Sequence, residues 1–514
     1  MFSNHTMELG SPKEDPAALV DAHLLKGCCL EAERSDSVWL RLEGLFLAIP
    51  EPNRRHLKPL IDEIKTSSLI LRELADLSQV HQDRVPLVLD PLNTILPCMS
   101  RSLRDITTHY ENRKLTKVNR WRTMFHDMTN EAGGLQLPQR FVVYNHYLSA
   151  IRDLLSRSPN FDLNMMEAFR LQIMNLREAR GIPPPPIQAG PLVRYGSIPP
   201  ADMDPSVHWA EQIFSLPLPS RSPLKSQLPS ESFGPHRPWG HLSIPNNSKV
   251  LFRRPIDDDK ISLIAYSDGR DGSPFLLLRT FYMGGPWFSV RGVHELCIQR
   301  ENDSIQFKRW SRSENCSKLW ATLRFQTWEE LILMYCTFLA LKSRNTLTIQ
   351  LGTKEYTLKG ERKLFQACIL DDGFKHSLIV YEDKHTGGRR LHVAVWEGEL
   401  RQCPVWTAFV CIFKTNSPLA VTHQSASPTW LKRVSRKRIR LADIQLYVFC
   451  QQYRQQAQRK GSGGAFELQF YNEEAAQSFK DLFCAPPIKS NTSRPITPRP
   501  NTPRAVSRPT TPRA

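Results

Sequence analysis

The run "GIPPPPIQAGP", residues 181–191, constrains this chain more than any other feature. Four prolines in succession offer no backbone N–H and hold φ near about −65°, so neither a helix nor a ladder strand crosses them. On the N-terminal side of the run apolar residues recur at helical spacing, and well beyond it they recur at every second position. The chain therefore carries two kinds of secondary structure, one on each side of a break that neither can cross.

The N-terminal side predicts about six helices. Asp15-Pro16 supplies an N-cap followed by proline at the first helical position, and Leu19, Val20, Leu24 and Cys28 continue the stripe. Further stripes run through Leu57, Leu60, Ile61, Ile64, Leu71 and Leu74, then from Asp90-Pro91 through Leu92, Ile95, Met99, Leu103 and Ile106, where Pro97 is placed to kink the helix. Others pass through Trp121 and Phe125, through Tyr144 and Leu148, and through Phe169 and Ile173, with Gly133-Gly134 as a turn. Short connections between such helices predict a helical bundle over residues 15–180, after a disordered start at 1–14. From 181 to 247 proline recurs every few residues, which predicts an extended linker with one short helix near Val207 to Phe214.

From Leu251 onward the period is two. "ISLIAYS" (261–267), "FLLLRTFYM" (275–283), "HELCIQR" (294–300) and "LWATLRF" (319–325) are separated by turn residues such as Asp268-Gly269 and Gly284-Gly285-Pro286. They lead into "TWEELILMYCTFLALK", with Trp328, Leu331, Ile332, Tyr335, Phe338 and Leu339 on one face. A second set starts with "LTIQL" (347–351) and "EYTLKG" (355–360) and ends with "FELQFYNEEAAQSFKDLF" (466–483), where a strand again runs into an amphipathic helix. Leu323-Arg324-Phe325 aligns with Leu468-Gln469-Phe470, and Glu329-Glu330 with Glu473-Glu474, so the two endings read as copies.

Short antiparallel strands closed by one helix, with an acidic pair opening that helix, resemble the pleckstrin-homology superfold. Two tandem copies cover residues 248–346 and 347–486, the second with a basic insertion at 414–440. The stretch "KVNRWRTMFHDMTNEAGGLQLPQRFVVYNHYL" (117–148) is similar to proteins of filamentous fungi that pair a helical N-terminal region with a barrel-containing C-terminal half. The fold class is then multidomain α + β: a helical bundle followed by two antiparallel β-barrels, each capped by a C-terminal helix. The resemblance implies that Phe479, Leu482 and Phe483 face into the second barrel. It also makes phosphoinositide binding the associated activity, yet the cation pattern of the lipid-binding members is incomplete. The first copy offers Lys260 and Arg279 without a closely spaced pair, and the second has Asp371-Asp372-Gly373 in the equivalent turn. That departure favours protein partners for the barrels.

Charge narrows the partners further. Of the net +17, residues 411–460 hold +9 (ten Lys or Arg against Asp443) and residues 485–514 hold +6, so the remainder is nearly neutral. The densest cluster is "WLKRVSRKRIR", with Lys432, Arg433, Arg436, Lys437, Arg438 and Arg440 as the candidate anion- or lipid-binding residues. Such a cluster also fits nucleic-acid phosphates, but Trp430 is its one aromatic, which places nucleic acid behind proteins and an anionic membrane surface. The tail 487–514 repeats Thr-Pro-Arg and is expected to be disordered, with Thr497, Thr502 and Thr511 as candidate phosphorylation sites whose added charge offsets much of its basicity.

Enzyme motifs are missing: there is no GxxxxGK[ST], HExxH or GxSxG. Asp257-Asp258-Asp259 without further spaced oxygen ligands reads as a solvated turn rather than a metal site. The 11 cysteines show neither CxxC pairs nor zinc spacing and read as reduced, mostly buried thiols. The sequence thus predicts a non-enzymatic intracellular adaptor or scaffold without cofactor or metal. Its alternatives are a peripheral membrane protein binding anionic lipid, and a nuclear nucleic-acid-associated factor. With no secretory signal and no apolar run of spanning length, the expected compartment is the cytoplasm ahead of the nucleus.

Overall fold

A computed structural model describes residues 16–185, 207–218, 222–224, 228–282, 284–311, 315–348, 351–410, 430–442, 444–460 and 464–483. The expected disordered ends, the proline-rich stretch 186–206 and residues 411–429 of the insertion region lie outside them. Six helices come first: α1 (Pro16–Ala48), α2 (Leu57–Val80), α3 (Val85–Glu111), α4 (Lys117–Glu131), α5 (Leu137–Ser156) and α6 (Leu163–Ala179). Their ends follow local chemistry. Thr116 caps α4 by accepting the Asn119 N–H at 3.3 Å, and Asp162 caps α6 by accepting that of Asn164 at 2.8 Å. Gly133 and Gly134, at φ 62° and 92°, supply the left-handed turn after α4. α3 begins five residues before the expected Asp90-Pro91, because Pro86 already occupies its first turn, where no N–H is needed, and the helix continues through Pro91 and Pro97. One core of leucine, isoleucine and aromatic side chains, including Leu60, Leu92, Phe141 and Leu148, joins all six helices.

A short helix, α7 (Trp209–Ser215), precedes the strands. The first β unit contains β1 (Glu231–Ser232), β2 (Arg237–Pro238), β3 (Lys249–Ile256), β4 (Ile261–Ser267), β5 (Pro274–Tyr282), β6 (Gly285–Gly292), β7 (Leu296–Glu301), β8 (Ser304–Ser311) and β9 (Cys316–Arg324), followed by α8 (Trp328–Ser343). Its strands form two antiparallel sheets, in the order β2-β6-β5-β4-β3 and β1-β9-β8-β7. The second unit contains β10 (Glu361–Asp371), β11 (Phe374–Asp383), β12 (Arg389–Val395), β13 (Pro404–Val410), β14 (Leu431–Arg433), β15 (Arg438–Leu441), β16 (Tyr447–Val448), β17 (Arg459–Lys460) and β18 (Ala465–Phe470), then α9 (Glu473–Phe483). Its sheet runs β14-β15-β18-β10-β11-β12-β13-β16, with β17 on β18. The sheets curve around their cores but stay open, so the units are not closed barrels.

Two expectations change. "EYTLKG" is not a strand, and neither are the described residues of "LTIQL", Leu347, Thr348 and Leu351: the connector carries a 3-10 turn at Thr353–Tyr356. Its Glu355 is drawn onto α8 by Lys342, whose Nζ lies 2.8 and 3.0 Å from the carboxylate, and by Tyr335, whose hydroxyl donates to the Glu355 carbonyl at 2.5 Å. The second unit therefore starts at Glu361. The described part of the expected linker is also packed rather than extended throughout. α7 lays Trp209 against Phe449 and Phe214 against Phe252, with ring centroids 6.1 and 4.4 Å apart. β1 and β2 extend the two sheets of the first unit.

The three parts adhere closely. α8 is buried almost all round, from Trp328 to Lys342, rather than along a single stripe. One side packs with Phe307, Trp320 and Leu323 in the first unit. The other meets the second, through Trp328 against Phe409 at 5.4 Å and Ser343 Oγ on Cys403 Sγ at 3.0 Å. A helix between two apolar surfaces needs apolar residues all round, which explains its sequence. Among the described residues no helix is long and apolar enough to cross a membrane. Between α2 and the first unit, Val80 joins Leu242, Ile244, Ile264, Tyr266, Leu277 and Phe288 in a small core.

Candidate anion-binding face

The basic cluster folds as the hairpin β14–β15. Leu431, Ile439 and Leu441 point inward and are buried, so the alternation throws Lys432, Arg438 and Arg440 outward, with Arg436 and Lys437 in the turn and Arg433 on the side of Ile439. The six have different partners. Arg433 is consumed by structure: it donates to the Ser435 and Arg436 carbonyls at 3.1 and 2.7 Å, to Gln477, and to Glu473 at 3.0 Å, tying the hairpin to α9. Arg438 and Arg440 share the carboxylate of Glu467 on β18, at 3.5 and 3.2 Å. Lys432, Arg436 and Lys437 are exposed and have no carboxylate partner among the described residues. A shallow groove of about 630 Å³ opens beside Arg436, Lys437 and Arg438.

The register carries this face farther than the sequence cluster. Arg438 lies opposite Gln469, Gln469 opposite Leu370, and Leu370 opposite Lys375, so these four share the outer surface of β15, β18, β10 and β11. The Phe470 N–H donates to the Lys437 carbonyl at 2.8 Å and the Tyr471 N–H to the Cys368 carbonyl at 3.1 Å, fixing the end of β18 between the two turns. Tyr471 is 62% exposed here, and the Lys375 ammonium sits 5.6 Å from the centroid of its ring. The result is a cationic surface edged with exposed aromatic and aliphatic side chains. Sequence reasoning missed Leu370, Lys375 and Tyr471, because only the pairing of β10 with β18 brings them beside the hairpin.

The acidic turn that counted against anion binding faces elsewhere. Asp371 accepts from Trp406 Nε1 at 2.7 Å and from the Tyr453 hydroxyl at 2.9 Å, and Asp372 accepts the Arg454 N–H at 3.0 Å. Burial pushes the Asp371 carboxyl up to about 6, against those two donors, which favour its ionised form. With the folded value above the unfolded one, the group's stabilisation is full below about pH 4 and lost as the pH rises through 6. The stability of the parent relative to D371N should therefore fall by about 2 kcal/mol on going from pH 4 to 7.5. Thermal melts of both at the two pH values check this; an unchanged difference would contradict it.

Of the two first-unit cations weighed from the sequence, Lys260 is exposed, but Arg279 is not available to a ligand. Arg279 is fully buried and bonds Asp76 of α2 and Asp259, each at 2.6 Å. Arg253 bonds the same two carboxylates, also at 2.6 Å, and Ser262 Oγ donates to Asp76 at 2.7 Å. Asp257, Asp258 and Asp259 all have left-handed φ (53°, 56° and 63°), a conformation held by the pull of the two arginines on Asp259 and of the Ser230 N–H on Asp257. Asp259 is thus part of the seam with the helical region, while Asp258 stays exposed, as a solvated turn would have it. Among the described residues no group of His, Cys, Asp and Glu could hold a metal ion. Five of the nine described cysteines are buried and none is in a disulfide. Thr497, Thr502 and Thr511 lie outside the described residues.

Residues 238–361 and 362–486 match two family models, each described as a PH domain found in tandem in fungal proteins. No curated protein and no solved structure matches the chain.

Proposed function

Because residues 238–486 of this chain are two tandem PH domains of the kind found in fungal proteins, we propose that the protein is a non-enzymatic adaptor whose second PH domain docks on an anionic phospholipid surface. The helical region and the first PH domain then form the part that meets protein partners. One observation carries this reading: Lys375, Lys432, Arg436 and Lys437, none bonded to a carboxylate among the described residues, share a face with exposed Leu370 and Tyr471. Cations draw a surface toward anionic headgroups at about 1 kcal/mol each, and aromatic side chains settle at the interface between headgroup and acyl chain. The first PH domain supports the same division, since its Arg253 and Arg279 are already neutralised by Asp76 and Asp259.

Replacing Lys432, Arg436 and Lys437 with Gln should weaken binding to phosphatidylserine vesicles by about 3 kcal/mol, roughly a hundredfold, with the fold intact because none of the three holds a structural bond through its side chain. Parental binding should fall steeply between low and physiological salt. Vesicle co-sedimentation measures both. A triple variant that binds like the parent would remove the reading, and parental binding that ignores salt would remove its electrostatic basis.

A further inference from the structure

A second concavity, sharing no residue with the cationic face, lies on the outer side of β10, β11 and β12. Its volume is about 760 Å³, within the usual range for small-molecule sites. Gln366, Ile379 and His392 form its floor, Tyr356 of the interdomain connector one wall, and Trp396 with Arg401 of the β12–β13 loop the other. His392 is only 8% exposed, its Nδ1 is sealed from solvent without a partner, and the ring makes no hydrogen bond through Nε2 either. Burial and the neighbouring Arg390 guanidinium keep that imidazole neutral. A ligand in the cavity would meet this ring through Nε2, the nitrogen that is not sealed from solvent, and the imidazole offers it one hydrogen bond there.

We propose that this cavity binds a phosphorylated ring compound of the nucleotide or sugar-phosphate class. Lys363 and Arg401 stand at the rim without carboxylate partners, against Glu397 as the one acid of the lining, so the opening favours an anion such as phosphate. Trp396, 38% exposed, offers a flat face for a ring to lie on, and the neutral imidazole below can either donate to or accept from the ring's polar edge. The site exists only in the tandem, because its walls come from the connector and the second domain together.

Isothermal titration of the full chain with ADP, with ribose 5-phosphate and with inorganic phosphate tests this. Saturable binding of ADP is expected, weakened about tenfold in H392F, which keeps a planar ring but no hydrogen bond, and similarly in R401A, whose side chain is exposed. Equal binding of ADP and ribose 5-phosphate assigns recognition to the sugar phosphate, and binding of ADP alone assigns it to the base as well; either supports the site. Binding of neither, inorganic phosphate binding as tightly as ADP, or ADP affinity unchanged in R401A would overturn it. R401A keeps the test decisive should H392F fail to fold.

Discussion

Asp76→Ala should destabilise the protein by about 3–5 kcal/mol, the cost of stranding buried charge when one partner of an internal ion pair is removed. Asp76 is fully buried on α2 and accepts from Arg253 Nε and Arg279 Nε at 2.6 Å and from Ser262 Oγ at 2.7 Å. Burial alone would raise its carboxyl, but the guanidinium groups of Arg279 and Arg253 outweigh that and hold it below the usual carboxylate range. In the variant, two arginines would face Asp259 alone. D76N keeps the shape and some acceptor capacity and should fall between the two. A protease site engineered into residues 186–206 gives a second readout. After cleavage the helical and β fragments of the parent should co-elute, because Val80, Leu242 and Phe288 also close the seam, whereas those of D76A should separate. Denaturant unfolding within 1 kcal/mol of the parent would show that the seam does not hold the halves together.

Phe479→Ala should cost a similar amount, about 3–5 kcal/mol, for a different reason. The side chain is fully buried at the mouth of the second PH domain, with ring centroids 5.5 Å from Phe365, 5.4 Å from Phe470 and 5.2 Å from Phe483. Deleting the ring leaves a cavity between an open sheet and a helix whose other buried residue is Ala476. K480A, one position along on the half-exposed side, should change stability by less than about 0.5 kcal/mol. Guanidinium midpoints separate the two cases, and equal midpoints for F479A and the parent would contradict the plug.

Much of the fold was legible because hydrophobic period and punctuation agree along most of the chain. β4 runs from Ile261 to Ser267 as its alternation predicts, and both closing helices open on acidic pairs that complement a helix N-terminus. What the sequence hides is relative placement. "EYTLKG" reads as a strand, yet its Glu355 is captured by Lys342 nearby, and the segment becomes a connector. α8 shows a clear stripe, but the opposite side is apolar too, and only the second domain explains it. Trp239, Leu242 and Ile244 look like isolated apolar residues among prolines until α2 supplies the surface they cover. At the candidate face the six cations stand out in the sequence, but their inequality does not. Arg433 is spent on α9, Arg438 and Arg440 on Glu467, and Leu370, Lys375 and Tyr471 arrive from about 60 and 30 residues away, by pairings that no local pattern encodes.

The claim that the second PH domain docks through this outer face is tested most directly by hydrogen exchange of the full chain with and without phosphatidylserine vesicles. Binding through the proposed face predicts added protection in peptides covering 370–375, 432–440 and 469–471, lost when salt is raised and absent with uncharged phosphatidylcholine vesicles. Protection confined to the helical region or to the first PH domain, or vesicle binding that leaves those three segments unchanged, would contradict it.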